Sequence, residues 1–337
     1  MYIISPTQKQ YKANLHSHST FSDGERTPEE LKQIYKDRGY SILAITDHEV
    51  PKSHAHLTDD DFLMLTGYEV YVRPHEKGRY DPYNPEIHIN LFSRDPNYEG
   101  IVCYDPRYCK YMPAEAYAIL PQVGSTKPRE YSVDYINEFV RAATANGYLA
   151  AYNHPWWSME DEATVLAYEG FFSMEMCNYG SYLESRLEYN GALYDKLWRA
   201  GKRIFCHSAD DNHNREPLDS PKNDSFGAFT MIMPEEFTYS SVIDAMEKGN
   251  MYSSMGPIFK EISVNGSDVH IECSDVARIT MFSGSKGPQK VFAENGKTIN
   301  SADFEIQSRD QYIRISICDE YGRHADTRGF TREELGL

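Results

Sequence analysis

Short apolar runs alternate with amphipathic stretches over the first three quarters of the chain, and the pattern changes near Gly256. "YKANLHSH", from Tyr11, reads as a strand. "TPEELKQIYKDRGY" follows as a helix: Thr27 is the N-cap, Pro28 takes the first helical position, Glu30 completes a capping box, and Gly39 closes the turn. "SILAITDH" is next, a nearly continuous apolar run of the kind found in strands buried on both faces. Strand, helix and strand make a βαβ unit. Further strands are predicted at "FLMLTGYEVYV", "IHINLF", "YLAAYNHP", "FFSMEMCN" and "RIFCHSADD", with helices over Val133 to Asn146, Tyr182 to Ala200 and Tyr239 to Lys248. The fold class is α/β, and the number of alternating elements predicts a barrel of parallel strands with helices outside.

Two stretches depart from this alternation. Residues 93–131 form a Tyr- and Pro-rich insertion with one short helical piece near Ala114, a length that inside a compact domain marks a lid or binding loop. After "GPIF" at Gly256 to Phe259 the period becomes two, with hairpin signals at Asn265-Gly266 and Asn295-Gly296. A chain of 337 residues exceeds what one core usually serves. The division expected is therefore 1–257 for the α/β domain and 258–337 for a small, β-sandwich-like all-β domain.

Composition narrows the function. Hydrophobic residues make up 40% and charged residues 25%, and no apolar run approaches the roughly 20 residues that span a bilayer, so no membrane partner is expected. The N-terminal stretch shows no basic region followed by an apolar core, and the six cysteines are scattered without a CxxC pair; both features suit a cytoplasmic, reducing setting and argue against thiolate zinc. A net charge of −17 repels polyanions, which excludes a broad surface for extended nucleic acid.

Candidate chemistry gathers at the ends of predicted strands. His16 and His18 follow the first, Asp47 and His48 the second, Glu69 lies in the third, His154 follows "YLAAYN", and Asp211 and His213 follow "RIFCHSA". In a (β/α) barrel those ends meet on one face. Residues i and i+2 of an extended segment point the same way, so the imidazoles of His16 and His18 can reach one cation. Taken singly, HxH is more often a surface or core pair than a ligand pair, and DH alone is a weaker sign still. Jointly, imidazoles and carboxylates buried without counter-ions would carry several kcal/mol of desolvation cost, which divalent cations relieve.

These motifs, "NLHSHSTFSDGERTPEEL", "AITDHE", "GYEV", "IHINLF", "NHP" and "ADDNHN", closely resemble the PHP (polymerase and histidinol phosphatase) family of metal-dependent phosphoesterases, over Tyr11 to about Pro257 and including "MYSSMGP". The resemblance implies a distorted (β/α)7 TIM-like barrel holding two or three divalent ions through nine ligands. Carried over, these are His16, His18, Asp23, His48, Glu69, His88, His154, Asp211 and His213. His75 competes with His88, which has the strand character the family shows there; Asp210 competes with Asp211, but only Asp211 stands two residues before His213. Nitrogen-rich mixed ligation suits Zn, Mn or Fe. The implied reaction is in-line attack of a metal-bridging hydroxide on a small phosphorylated substrate, a nucleotide or sugar phosphate, mono- or diester.

Glu69, suited to bridging two ions, Asp47, suited to orienting a ligand histidine, and His207, beside the DxH motif, are the catalytic candidates. Lys127, Arg129, Arg73 and Arg215 are candidate phosphate contacts, and Trp156 beside His154 can stack on a base or sugar. The remaining histidines read as structural. Two other functions compete: an amidohydrolase centre, which would want a strand lysine where Glu69 stands, and a binding module that retains metal without catalysis, against which the full ligand set argues.

Overall fold

The computed structural model describes residues 1–74 and 80–337. The predicted βαβ unit forms. Tyr11–Asn14 and Ile42–Ile45 pair in parallel, joined by the helix Pro28–Asp37. Its capping box is complete: the Glu30 N–H donates to the Thr27 hydroxyl at 3.3 Å, and the Thr27 N–H to the Glu30 carboxylate at 2.9 Å. Leu31 and Tyr35, one turn apart, form its buried face against Leu43, Ile45 and Phe62. Leu63–Val72 adds in parallel beyond Ile42–Ile45, whose four residues are all buried, as an unbroken apolar strand requires.

The next strand departs from the all-parallel expectation. Ile87–Ser93 runs antiparallel to both Leu63–Val72 and Tyr148–Tyr152; Ser173–Asn178 and Phe205–Ala209 then resume parallel pairing. The sequence between the third and fourth strands contains Pro74, Pro82 and Pro85 and no helical period. It cannot supply the crossover helix that parallel pairing normally uses. Phe229–Ile232, which no sequence signal marked, pairs antiparallel with Tyr11–Asn14 and continues the sheet to Met251–Ser254. The result is a rolled α/β sheet. Its ends approach each other where the Asp211 N–H donates to the His16 carbonyl at 2.9 Å, the His18 N–H to the Asn212 carbonyl at 3.0 Å, and the Thr230 hydroxyl to the Ser208 carbonyl at 2.8 Å.

Val133–Ala145 and Tyr239–Lys248 are helical as predicted, but the helix expected over Tyr182 to Ala200 is two, Tyr179–Ser185 and Gly191–Arg199. Arg186 ends the first in a left-handed conformation (φ 64°), and the Glu188 carboxylate turns inward and is fully buried. The insertion holds the helix Ala114–Ile119 and a two-residue pair, Ile101–Val102 with Gln122–Val123. Among the described residues no helix is long and apolar enough to cross a membrane.

The last stretch is β-rich. Asn265-Gly266 turns a hairpin between Phe259–Asn265 and Asp268–Val276, flanked by Tyr2–Ile4 and Ile299–Glu305. Asn295-Gly296 also turns the chain but makes no hairpin: Gln289–Phe292 pairs with Arg278–Phe282, whereas Ile299–Glu305 crosses to the other sheet. A turn dipeptide sets local geometry, and the apolar alternation of each strand selects its sheet. Ile262, Ile271, Ile279, Ile315 and Ile317 from both sheets share one core. The ladder also runs across position 257, because Met251–Ser254 pairs with His324–Thr327.

Candidate metal centre

Rolling the sheet brings the strand ends to one mouth, and Glu69 stands at its middle. One of its oxygens, Oε1, lies 3.1 Å from His16 Nε2, 3.0 Å from His88 Nδ1 and 3.5 Å from His154 Nε2. The other, Oε2, lies 2.9 Å from His48 Nδ1 and 3.5 Å from His18 Nε2. Asp211 Oδ1 stands 3.0 Å from His18 Nε2 and 3.2 Å from His16 Nε2. At the outer edge Asp23 Oδ1 is 3.3 Å from His213 Nε2 and 3.8 Å from His48 Nε2. His88 reaches this cluster from the start of its strand because that strand is reversed: its first residues lie beside Tyr71, at the same mouth as the ends of its neighbours.

The arrangement fits cations on the atoms themselves. Three sets, His16 with His18 and Glu69, His48 with Glu69 and His88, and His18 with Asp23, His48 and His213, each bring their donor atoms within 4.8 Å of one another. Metal–ligand bonds of about 2.0 to 2.2 Å span such groups. His48 Nδ1 and Glu69 Oε2 are buried and lack a hydrogen-bond partner, although they face each other at 2.9 Å. Lone pairs aimed at a common point account for both facts. Likewise the Nε2 atoms of His16 and His18 are 3.3 Å apart.

Electrostatics supports the same conclusion. Burial opposes charge on His16, but the carboxylates of Asp211, Glu69 and Glu175 outweigh it and hold the imidazole well above its ordinary pKa. For His88, burial is again outweighed, by Glu69 and Glu86, and its pKa rises to about 10. Glu69 answers in the opposite sense: burial would raise it, yet His16, His88 and His48 hold it well below the carboxylate range. The negative field that retains these protons is the field that would hold a metal in their place. His18 differs, since burial and the neighbouring His213 and His48 rings push it down to about 3, leaving it neutral as a ligand must be.

A family model described as the PHP domain matches residues 14–212. The chain belongs to the PHP family. Among solved structures, one that it resembles is a two-domain protein from Bacteroides vulgatus containing a predicted PHP-like metal-dependent phosphoesterase, at 13% identity over 94% of this chain and 92% of that one, with a TM-score of 0.47. A proposed metal-dependent phosphoesterase from Bifidobacterium adolescentis is 16% identical over 63% of this chain and 91% of its own, with a TM-score of 0.39. An amidohydrolase from Chromobacterium violaceum, solved with sulfate and no metal, is 18% identical over 60% of this chain and 87% of its own, with a TM-score of 0.39. No curated protein matches the chain.

All nine positions carried over from the PHP motifs converge at the mouth: Asp23, His48, Glu69, His88, His154, Asp211 and His213 line a cleft of about 870 Å3, and His16 and His18 are buried against Glu69 and Asp211. His75 lies outside the described residues. Asp210 is buried away from the cluster, accepting the Phe226, Gly227 and Ala228 N–H groups, and it is Asp211 whose carboxylate stands beside His16 and His18. Among the described residues Asp47 makes no hydrogen bond to an imidazole: its carboxylate accepts the Ser19 N–H at 2.7 Å and the Ser19 and Ser22 hydroxyls at 2.6 Å, and so shapes the turn that carries Asp23. His207 does not line the cleft; it is fully buried behind it, with Nδ1 2.9 Å from the Ser173 hydroxyl.

The expected phosphate contacts divide. Arg215 and Arg73 line the cleft, each beside an acid, Arg215 at 3.0 Å from Asp23 Oδ2 and Arg73 against Glu86. Arg129 is not at the cleft. It is buried, its guanidinium forked onto Glu49 at 2.5 and 2.8 Å. Lys127 is exposed and does not line the cleft, and Trp156 lines an adjoining cavity with Tyr80, Pro82 and Met159. Three contributors escaped sequence reasoning. Glu175 Oε1 is 2.8 Å from His16 Nδ1; a carboxylate only accepts, so Nδ1 carries the proton and Nε2 faces Glu69. Glu86 does the same for His88 Nε2 at 2.6 Å, and Lys222 adds a cation to the cleft wall. A lone carboxylate in the apolar strand "FFSMEMCN" was the available sign of Glu175.

His207 makes a prediction about pH. Burial depresses its pKa to about 4, whereas the unfolded chain titrates near 6.5. As pH falls below 6.5 the unfolded state takes a proton that the folded state refuses until pH 4, so stability declines across that window, by about 3 kcal/mol in all. In metal-free protein His207→Gln should flatten this part of the urea-stability profile relative to wild type. Parallel profiles between pH 7 and 4.5 would disprove the assignment.

Proposed function

We propose that the protein is a metal-dependent hydrolase of phosphoric ester bonds acting on a small phosphorylated substrate, a nucleotide or sugar phosphate, by in-line displacement with water. One observation carries this reading: three donor sets overlap through His18, His48 and Glu69 at the floor of an open cleft. The overlap supports three cation positions, held by His16, His18, Asp23, His48, Glu69, His88, His154, Asp211 and His213, with Zn, Mn or Fe suited to so many nitrogens. We read the rolled sheet as a distorted (β/α)7 barrel, residues 1–257 and 258–337 as the chain's two domains, and 93–131 as a lid or binding loop, from which Tyr111 lines the cleft.

Bound cations would acidify water and neutralise charge on the phosphoryl oxygens. The chain's own part is orientation and charge. Glu175 and Glu86 fix the rings of His16 and His88, and Glu69 keeps the donors within reach of one another. Arg215 and Lys222 offer donors to a phosphate on the cleft wall. Arg215→Ala should raise KM for a phosphomonoester several-fold with kcat little changed, because an exposed guanidinium contributes about 1 kcal/mol of binding; an unchanged KM would remove it from the substrate site.

The reading is tested by metal analysis of the purified protein followed by hydrolysis of phosphomonoesters, cyclic phosphates, short diesters and amides with added Mn. Phosphate release that disappears with chelator is the expected result. Amide cleavage without phosphate release would mark an amidohydrolase centre, and metal uptake with turnover of neither would mark a binding module.

A further inference from the structure

The β-rich C-terminal stretch meets the rolled sheet at a buried ionic lattice. Arg314, in Tyr312–Cys318, donates to Asp195 at 2.9 and 2.8 Å and to Asp326 at 2.6 Å. Asp326 also accepts the Tyr189 hydroxyl at 3.0 and 3.1 Å, and the His324 ring stacks on Tyr189 with centroids 4.2 Å apart. Tyr189 adjoins Glu188. The buried Glu188 carboxylate accepts the Trp156 N–H at 3.1 Å, the Trp157 N–H at 2.8 Å and the Asn190 side-chain amide at 2.7 Å. Those two backbone N–H groups belong to the turn that follows His154, whose φ of 25° is a conformation a non-glycine residue keeps only when its surroundings impose it.

We propose that the C-terminal β unit is a working part of the metal centre: Asp326 and His324 seat Tyr189, Tyr189 seats Glu188, and Glu188 is a positioning residue for His154. The proposal rests on the reading of His154 as a cation ligand. Its physical basis is that a buried carboxylate is held by its charge-assisted N–H bonds. If the segment carrying Glu188 moves, two backbone N–H groups lose their acceptor and the His154 backbone is released.

Cobalt(II) titration of the full chain, followed by its visible absorption and paired with a thermal midpoint, tests this. Glu188→Gln keeps the shape but turns an amide N–H toward one of the two backbone donors; it should weaken cobalt binding roughly 10- to 100-fold and shift the absorption band. Tyr189→Phe should shift the band in the same direction by less. Ile315→Val, in the β core, should lower the midpoint and leave the cobalt spectrum untouched, so that a band shift in Glu188→Gln cannot be ascribed to lost stability alone. Wild-type cobalt affinity and spectrum in both Glu188→Gln and Tyr189→Phe would overturn the proposal, and if Glu188→Gln does not fold, Tyr189→Phe decides alone. Failure of the wild-type chain to take up cobalt would instead overturn the metal-centre reading itself.

Discussion

Replacing Glu69 with glutamine should strip the centre of metal and abolish hydrolysis. The two oxygens of this carboxylate stand within 3.5 Å of five imidazoles, and among the described residues no other side chain serves so many donors. Glutamine keeps the shape but removes the charge and presents an N–H2 group where lone pairs are needed. Loss of charge stabilisation worth several kcal/mol, at about 1.4 kcal/mol per tenfold, predicts a fall in rate on the order of 10^3-fold or more. Elemental analysis should find fewer ions per chain. Without the carboxylate, the metal-free protein should also release the protons that Glu69 helps to hold on His16 and His88. A variant with its full metal complement and nearly wild-type turnover would refute the central role of Glu69.

The second large effect concerns stability. Arg129→Met should destabilise the fold by about 3 to 5 kcal/mol, because it leaves the Glu49 carboxylate buried and unpaired. Glu49 follows His48 with a left-handed backbone (φ 58°), and its N–H donates to the Glu69 carbonyl at 2.7 Å. The guanidinium also donates to the Tyr71 carbonyl at 3.1 Å, so one residue of the insertion braces both sides of the cluster. Adding Glu49→Met should recover more than half of the loss, since two well-packed apolar side chains remove the unpaired charge. Denaturant unfolding of the two single variants and the double variant checks this. An Arg129→Met protein of unchanged stability but raised KM would return Arg129 to the substrate site.

The contrast between these two residues shows which parts of the site were legible. Glu69 stands out in the sequence because its neighbours form a strand and because its motif is one of several associated with strands. Arg129 was misplaced because an arginine in a polar loop carries no mark of burial, and its partner is eighty positions away. The break of the expected Tyr182 to Ala200 helix has a similar origin. Its apolar period continues through the segment, but the chain turns at Arg186 and the buried Glu188 carboxylate accepts two backbone N–H groups from the distant turn after His154. His88 lies at the cluster although its position at the start of a strand fits no parallel barrel; the antiparallel pairing removes that difficulty.

By itself, the sequence determined what depends on neighbours along the chain: the capping box at Thr27, the apolar strands, the Asn265-Gly266 hairpin, and the i, i+2 spacing that turns His16 and His18 the same way. Tertiary structure decided what depends on groups distant in sequence meeting in a low-dielectric interior. It reversed Ile87–Ser93, set Glu175 against His16, assigned Arg129 to Glu49 and tied Glu188 to the turn after His154. The reason is that local conformation follows from steric and hydrogen-bonding preferences of adjacent residues, whereas a buried charge must find a partner wherever the fold supplies one.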